Sequence, residues 1–286
     1  MKFTKMQAAG NDFVVIEAAE AERNWSKMVV AMCHRHFGIG ADGLLLILPS
    51  VAADFQMHTF NSDGSEAEAC GNGLRCLAKY VVDRGLINSK TQEISVATMS
   101  GTRRIKLHYE GDKIARIQVG MGEPEFKAEE IPVLIEPGRG DLLDIKPILD
   151  YHVTIDGEEL ALSFVSMGNP HAVYFCQSPV SDFPLSQLGP KVEQHQMFPN
   201  RVNFEVACIV SRNYIEARVW ERGVGETLAC GSGACAVVVT AQLHDYVDKK
   251  VDVKLPGGVL EVEWNRVGEV LLSGPTQVVF TGDWPE

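Results

Sequence analysis

The chain has 286 residues, 45% of them hydrophobic and 22% charged, a composition typical of a globular protein with one large or two ordinary domains. Its formal net charge of −12, without any run of Lys or Arg, argues against binding to nucleic acid or to an anionic membrane. No apolar run approaches the roughly 20 residues of a membrane span, and the first residues form no signal-like apolar block, so we expect a cytoplasmic protein.

Short alternating apolar runs predict strands through the first half of the chain, separated by Gly, Asp and Ser turns. These strands are predicted at residues 13–17, 44–48, 56–60, 93–97, 103–109 and 115–119. Apolar residues recur at helical spacing from Leu74 to Val82, and Arg84-Gly85 predicts the end of that helix. A second helix is predicted from about Ala234 to His244, so each half combines strands with one apolar helix in an α+β pattern.

Two local patterns in the first half have ordinary interpretations. Residues Gly38–Gly43 read G-x-G-x-x-G, but this string precedes a predicted strand instead of following one, so a turn is favoured over a nucleotide site. His34 and His36 are expected on the solvated, polar side of a helix.

The chain contains an internal repeat. Phe60–Cys76 and Trp220–Cys235 align without gaps over their first 16 residues at an offset of 160 residues, each with an aromatic start and A-C-G-[N/S]-G. Gly10-Asn11 and Gly168-Asn169 form a second matching pair at a similar offset of 158 residues. Together with a weaker pair of predicted hairpins, these matches predict two homologous halves. We place the first at residues 1–119 plus 275–286 and the second at residues 120–274.

Two of the seven cysteines carry matching flanks in the two halves. The odd number and the long chain favour reduced thiols over a disulfide scaffold, and the C-x-x-C spacing of metal or redox motifs is missing, so no metal site is expected. Cys70 and Cys230 each precede a Gly-x-Gly turn that opens a helix. The other five are expected to be core residues: Cys33, Cys76, Cys176, Cys208 and Cys235.

A cysteine at a helix start lies where backbone N–H groups have no helical partner. Such a site lowers the pKa of a thiol, so we expect thiolate to be available at neutral pH. The same N–H groups can also bind a carboxylate. A pseudo-two-fold axis would place Cys70 and Cys230 on opposite sides of a shared cleft. One thiolate would then remove a proton from a carbon and the opposite thiol would return one, inverting that centre without any redox cofactor.

Longer motifs of the chain resemble those of the diaminopimelate epimerase family. They are K-M-x-x-x-G-N-D-F at residues 5–13, G-x-G-A-D-G at 38–43, F-N-x-D-G-S-E-x-x-x-C-G-N-G-x-R-C at 60–76, M-G-N-P-H at 167–171, R-V-N at 201–203 and E-R-G-x-G-E-T-x-A-C-G-S-G-A at 221–234. The resemblance covers nearly the whole chain. It implies an isomerase, independent of pyridoxal phosphate and of any other cofactor, that interconverts LL- and meso-diaminopimelate in lysine and cell-wall biosynthesis. It also implies two similar domains, each with a sheet wrapped around a central helix and the site between them.

The resemblance further implies roles for individual residues. Cys70 and Cys230 would be the acid/base pair, with His171 and Glu221 tuning the thiols or holding the α-amino group. The substrate contacts it implies are Gly71, Asn72, Gly231 and Ser232 at the reacting carboxylate, and Asn11, Asn61, Asn169, Asn203 and Arg222 at the remote end. Buried polar groups of this kind reject shorter amino acids, because they would be left unpaired.

The chain departs from the family pattern at two places. Gln7-Ala8-Ala9 replaces a more usual His-Gly-x, and Gly43 stands where some members have Gln. The second departure falls at a position that contacts the substrate in the family pattern, and neither departure touches the chemistry.

Other functions remain open at this point. A Cys70–Cys230 thiol oxidoreductase or peroxide sensor is disfavoured, because such pairs combine one nucleophile with one resolving cysteine, whereas these two have matching flanks. The cysteine spacings do not support a metal-binding protein. A related racemase acting on proline or histidine is the nearest rival, although Arg222 and the asparagines favour a longer substrate with polar groups at both ends. The sequence is compatible with a homodimer and does not fix the oligomeric state.

Overall fold

The structure is a computed structural model that describes residues 1–19, 23–67, 70–88, 90–135 and 147–285. The chain divides into two compact units, Met1–Gly120 with Ser273–Glu286, and Met121–Leu272. No helix in the described part of the chain is long and apolar enough to cross a membrane.

The elements alternate as short strands and a few helices. The strands are β1 Lys2–Ala8, β2 Asn11–Glu17, β3 Gly43–Leu48, β4 Phe55–Asn61, β5 Glu66–Ala67, β6 Glu93–Thr98, β7 Gly101–Glu110, β8 Lys113–Gly120, β9 Tyr151–Ile155, β10 Glu158–Ser166, β11 Pro170–Phe175, β12 Asn203–Ser211, β13 Tyr214–Glu221, β14 Gly225–Thr227, β15 Lys250–Leu255, β16 Gly258–Glu263, β17 Leu271–Ser273 and β18 Gln277–Asp283. The α-helices are α1 Trp25–Cys33, α2 Gly71–Asp83, α3 Leu185–Glu193 and α4 Gly231–Leu243.

In the first unit a mixed sheet surrounds one helix. Its strand order is β18-β1-β2-β3-β4-β6-β7-β8, with β5 also paired to β4. Only the β2–β3 and β4–β6 pairs among these are parallel. Helix α2 contacts strands from both ends of this order, namely β1, β2, β3, β7 and β8. The sheet therefore wraps around α2.

The second unit repeats this arrangement. Its order is β9-β10-β11-β12-β13-β15-β16, with β14 beside β13, and the β11–β12 and β13–β15 pairs are parallel. Helix α4 contacts β10, β11, β12, β13, β15 and β16. Every residue from Ala234 to Gln242 is buried, which is why this helix is apolar on all sides.

The correspondence of the two units confirms the duplicated α+β fold. Helices α2 and α4 have 13 residues each, and α4 lies 160 positions after α2 in the chain. The parallel pair β2–β3 aligns Phe13 with Gly43, and the parallel pair β11–β12 aligns His171 with Asn203. Equivalent positions of the two halves therefore occupy equivalent places in their sheets.

The prediction that His34 and His36 lie on a helix was wrong, because the helix ends before them. Helix α1 ends at Cys33, and His34 caps it in an extended conformation. The His34 Nδ1 accepts from the backbone N–H groups of His36 and Phe37, both at 3.2 Å. A Cβ on Gly38 would lie 2.1 Å from the Ala31 carbonyl oxygen, so the chain turns sharply against the helix end instead of continuing it.

The expected core positions of the five remaining cysteines were right for three of them. Cys33, Cys76 and Cys235 are buried. Cys176 and Cys208 are only partly buried, because they lie at the edge of the second unit's apolar core.

Candidate active site

Cys70 and Cys230 occupy the same structural position in their units. Each is the N-cap residue of the central helix, with an extended backbone at φ −134° and −118°. The thiol sulfur accepts from the backbone N–H three residues later, from Gly73 and from Gly233, at 3.4 Å in both cases. Gly71-Asn72 and Gly231-Ser232 form the first residues of the two helices, where backbone N–H groups have no partner within the helix and where anions are favoured.

Two asparagines form a hydrogen-bonded group beside Cys70. The thiol lies 3.8 Å from Asn11 Oδ1, which also accepts from Asn72 Nδ2 at 3.1 Å. Asn72 Oδ1 in turn accepts from Arg75 at 2.6 Å, and the Arg75 side chain is fully buried. Asn11, Asn72 and Cys70, named separately from the sequence, are thus one connected group.

An ionic cluster holds Asn11 in place. Asn11 Nδ2 donates to Asp42 Oδ2 at 2.9 Å, and Arg35 bridges Asp42 and Asp12. The ammonium of Lys5 lies 2.6 Å from Asp12 Oδ2. Burial of Asp12 opposes its ionisation, but hydrogen bonds from Arg35 and Lys5 outweigh it and lower the pKa of Asp12 from 3.8 to about 2. Sequence reasoning did not identify this cluster, since its members are far apart in the chain.

A second polar chain leads to Cys230. His171 Nε2 lies 3.0 Å from Asn169 Oδ1, and Asn169 Nδ2 donates to the hydroxyl of Ser232 at 3.4 Å. That hydroxyl lies 3.5 Å from the sulfur of Cys230. The structure therefore connects these four predicted residues within the second unit.

Glu205 is a functional-site candidate that sequence reasoning missed. Its carboxylate is fully buried and accepts from His171 Nδ1 at 2.7 Å. Its signal in the sequence is one acidic residue in an otherwise apolar strand, N-F-E-V-A at residues 203–207. Buried acids are rare unless they are paired, so this pattern by itself marks an unusual position.

The expectation of a lowered thiol pKa was wrong for Cys230. Burial raises the pKa of this thiol well above 9.0, and the negative charges of Glu221 and Glu205 raise it further. Hydrogen bonds from Ser232 and from the Gly233 N–H act in the opposite direction but are weaker. The increase in pKa from burial and from the two carboxylates is therefore larger than the decrease that the helix N-terminus provides.

Glu221 lies beside Cys230 at the end of β13. Burial raises the pKa of Glu221, while hydrogen bonds from Thr227 and Cys230 lower it by a smaller amount. Thr227 donates its hydroxyl to Glu221 Oε1. The carboxyl group is thereby aimed at the thiol.

Three further residues predicted to contact the substrate form hydrogen bonds within the protein. Asn203 donates to the carbonyl of Pro170 at 3.0 Å and accepts from the backbone N–H of Arg222 at 2.9 Å. The exposed Arg222 guanidinium donates to the carbonyl of Asn200 at 3.1 Å. Asn61 is exposed at the end of β4 and donates to the Ser65 hydroxyl at 2.9 Å.

The two departures from the family pattern have local explanations. A Cβ at Gly43 would lie 2.3 Å from the backbone oxygen of Phe60, so this strand pairing excludes any side chain there. Gln7 Oε1 accepts from the N–H of Gly10 at 3.0 Å, and Ala9 adopts a positive φ of 52° in the same turn.

Other features of the described residues do not compete with these positions. No group of three or more His, Cys, Asp or Glu side chains among them is arranged to hold a metal ion. A cavity of about 690 Å³ lies at the opposite end of α2 from Cys70, beside Tyr80 and Arg84. It contains none of the predicted site residues.

Comparison with known proteins identifies relatives along the whole chain. A sequence model of the family described as Diaminopimelate epimerase matches residues 3–127 and 163–279. A protein named diaminopimelate epimerase from Methanococcus maripaludis is 44% identical over 285 residues, covering 99% of both chains. One of the same name from Acetivibrio thermocellus is 46% identical, covering 99% of this chain and 98% of the relative.

Solved structures of low sequence identity share the fold. A hydroxyproline epimerase from Agrobacterium vitis matches with a TM-score of 0.69 at 13% identity, covering 99% of this chain and 91% of that one. A Bacillus anthracis phenazine biosynthesis protein of the PhzF family matches with a TM-score of 0.69 at 15% identity, covering 99% and 98%.

Proposed function

The chain belongs to the diaminopimelate epimerase family, and we propose that it interconverts LL- and meso-2,6-diaminopimelate in the cytoplasm. This isomerase reaction serves lysine and peptidoglycan precursor biosynthesis. The proposed chemistry uses only the thiols of Cys70 and Cys230, with no cofactor.

One observation carries the assignment of the thiols. The duplicated fold places a cysteine at the N-cap of each central helix, with the same N–H to sulfur hydrogen bond of 3.4 Å in both units. A reaction that must treat two mirror-related faces of one carbon needs two such groups. The repeated position supports Cys70 and Cys230 as that pair.

The proposed reaction moves one proton off the α-carbon and another proton onto it. One thiolate takes the α-proton and becomes a thiol, and the electron pair of the C–H bond spreads into the substrate carboxylate. The opposite thiol then donates its proton to the other face of the carbon and becomes the thiolate. Backbone N–H groups at Gly71-Asn72 and Gly231-Ser232 would bind the carboxylate and stabilise this charge.

The surroundings of Cys230 support its role as the proton donor of the resting enzyme. Its pKa is raised well above 9.0 by burial and by two carboxylates, so this sulfur keeps its proton at neutral pH. Glu221 and His171 would hold the α-amino group and adjust the charge near the thiol. Asn11 and Asn169, each connected to one of the helix starts, would contact the substrate beside them.

Hydrogen exchange at the α-carbon tests the proposed function. The enzyme is incubated under reducing conditions with LL-diaminopimelate in D₂O, and the products are followed by NMR and chiral chromatography. We expect meso-diaminopimelate with deuterium at the inverted centre. A parallel panel that includes proline and histidine should show no exchange. Exchange with one of these amino acids and none with diaminopimelate would assign the chain to another substrate.

Three alanine variants test the assignment of the thiols. Cys70→Ala and Cys230→Ala should each reduce epimerisation by about 100- to 10,000-fold, the contribution of general acid–base catalysis. Cys176→Ala is the matched control, because this thiol is partly buried at the edge of a core, and it should retain nearly full activity. Loss of activity in Cys176→Ala together with activity in Cys70→Ala would refute the assignment.

A further inference from the structure

Glu205 is a fully buried carboxylate in the middle of a core strand. Its neighbours along β12, Phe204 and Val206, are apolar core residues with no exposed surface. Burying an ionised carboxylate costs several kcal/mol unless it is paired. Oε1 has its partner in His171 Nδ1 at 2.7 Å, but Oε2 has no hydrogen-bond partner among the described residues. The Glu205 carboxylate thus lowers the stability of the fold at a position where core packing does not require a charged group.

The carboxylate lies against the first turn of α4. A Cβ built on Gly233 would lie 2.9 Å from Glu205 Oε1, so only a glycine allows this approach. The N–H of the same Gly233 donates to the sulfur of Cys230. Glu205, from β12, and the thiol of Cys230 therefore both lie against the first turn of α4.

The duplication supplies an internal comparison. In the parallel pair β2–β3, Val15 aligns with Leu45, and in the equivalent pair β11–β12, Val173 aligns with Glu205. A Cβ on Gly73 would meet Leu45 Cδ2 at 2.9 Å, the same distance at which Gly233 would meet Glu205. Leu45 is therefore the first-unit counterpart of Glu205.

His171, the partner of Glu205, is also replaced by an apolar residue in the first unit. His171 aligns with Asn203 in β12, and its counterpart Phe13 aligns with Gly43 in β3. The first unit fills this place with the buried apolar side chains Phe13 and Leu45. The second unit fills it with a hydrogen-bonded His–Glu pair. The first unit adopts the same fold with an apolar pair at this place. The His–Glu pair of the second unit is therefore not required for folding, and we look for its role in the site.

We propose that Glu205 is a positioning residue, which fixes the orientation of His171 and places a carboxylate beside the helix turn of Cys230, where the first unit has Leu45 beside the helix turn of Cys70. This inference rests on the proposed function in taking Cys230 as a reacting thiol. An ionised Glu205 accepts a hydrogen bond from His171 Nδ1 and so holds the ring with Nε2 facing Asn169 Oδ1. Through Asn169 and Ser232 that orientation reaches the thiol.

Several charged or polar groups face Cys230 from the elements around it. They are Glu205 on β12, Glu221 on β13, and Ser232 and the Gly233 N–H on α4, with His171 on β11 behind Glu205 and Asn169. Glu205 is one of the two carboxylates whose charge raises the pKa of the thiol. Removing its charge should therefore lower the pKa of Cys230 and leave Cys70 unchanged.

Alkylation of the two thiols in the same molecule provides the test. The free enzyme is treated with iodoacetamide between pH 6 and 10.5, and the rates at Cys70 and Cys230 are read separately by peptide mass spectrometry. In Glu205→Gln we expect the Cys230 profile to move to lower pH by about one unit, the effect of one close charge. The Cys70 profile should stay where it is, and epimerisation should fall about tenfold or more.

A double variant keeps the test valid if Glu205→Gln misfolds. His171→Phe with Glu205→Leu installs the pair found in the first unit, which should restore a packed core and shift the Cys230 profile in the same direction. A purely structural role for Glu205 would lower the melting temperature of Glu205→Gln and move neither profile.

The outcomes separate this inference from the proposed function. An unshifted Cys230 profile in a folded variant overturns the role of Glu205, whatever the wild-type enzyme does with diaminopimelate. Failure of the wild-type enzyme to convert diaminopimelate overturns the proposed function, whatever the alkylation profiles show.

Discussion

Replacing Asp12 with Asn should destabilise the first unit by an amount that depends on pH. Asp12 accepts from Arg35 at 2.9 and 3.2 Å and lies 2.6 Å from the ammonium of Lys5. The Lys5 side chain is 7% exposed and that of Asp12 is 18% exposed, so solvent screens the pair only weakly. The neutral amide introduced by Asp12→Asn would leave the buried ammonium without its counter-charge.

The magnitude follows from the pKa of the carboxyl group. Folding lowers it from 3.8 to about 2. At about 1.4 kcal/mol per pH unit, this difference corresponds to about 2 kcal/mol of stability at pH 7. A lowered folded-state pKa stabilises the protein above the unfolded-state pKa, and this stability is lost as the pH falls through the folded-state pKa. The contribution should be complete above about pH 5 and fall to about half near pH 3.

Urea denaturation followed by circular dichroism at pH 7, 4 and 3 measures the effect. The matched control is Asp112→Asn, which changes an exposed acid in the turn between β7 and β8 and should alter stability by less than about 0.5 kcal/mol. We expect Asp12→Asn to be less stable than wild type by about 2 kcal/mol at pH 7, with the difference shrinking toward pH 3. A difference that is the same at every pH would refute the electrostatic reasoning.

Two further predictions concern a steric and an electrostatic contact. Gly43→Ala should destabilise the protein by about 1–3 kcal/mol in the same urea assay, because its Cβ would lie 2.3 Å from the Phe60 backbone oxygen. Gly268→Ala is a comparison without a steric contact within 4 Å, but its positive φ of 69° should by itself cost about 1 kcal/mol, so a loss there larger than that of Gly43→Ala would contradict the steric explanation. Glu221→Gln should shift alkylation of Cys230 to lower pH, because the charge of Glu221 raises the pKa of that thiol; a shift to higher pH would contradict this sign.

The sequence predicts the local elements of this fold well, because their signals are short-range. The predicted strands agree with β2, β3, β4, β6, β7 and β8 to within about two residues at each end. Helix α2 ends at Asp83 and is capped by Arg84, next to the predicted glycine stop. The repeat was visible because the duplicated motif kept its cysteine, its glycines and its spacing.

The parts that sequence reasoning missed depend on contacts between distant positions. Glu205 becomes notable only when β12 is paired with β11 and its carboxylate meets His171. The raised pKa of Cys230 depends on its burial in the folded chain and on the charges of Glu221 and Glu205, which lie 9 and 25 residues away in the chain. A motif shows that a thiol precedes a helix, but it does not show which charges the fold brings beside it.

The central claim, that two thiols act on opposite faces of one carbon, is tested most directly by α-proton exchange in single-thiol variants. Each variant keeps one base, so in D₂O it should exchange the α-proton of one configuration without inverting it. We expect Cys70→Ala and Cys230→Ala to exchange opposite configurations, one the L centre of the LL isomer and the other the D centre of the meso isomer. Exchange of the same configuration by both variants would contradict the account.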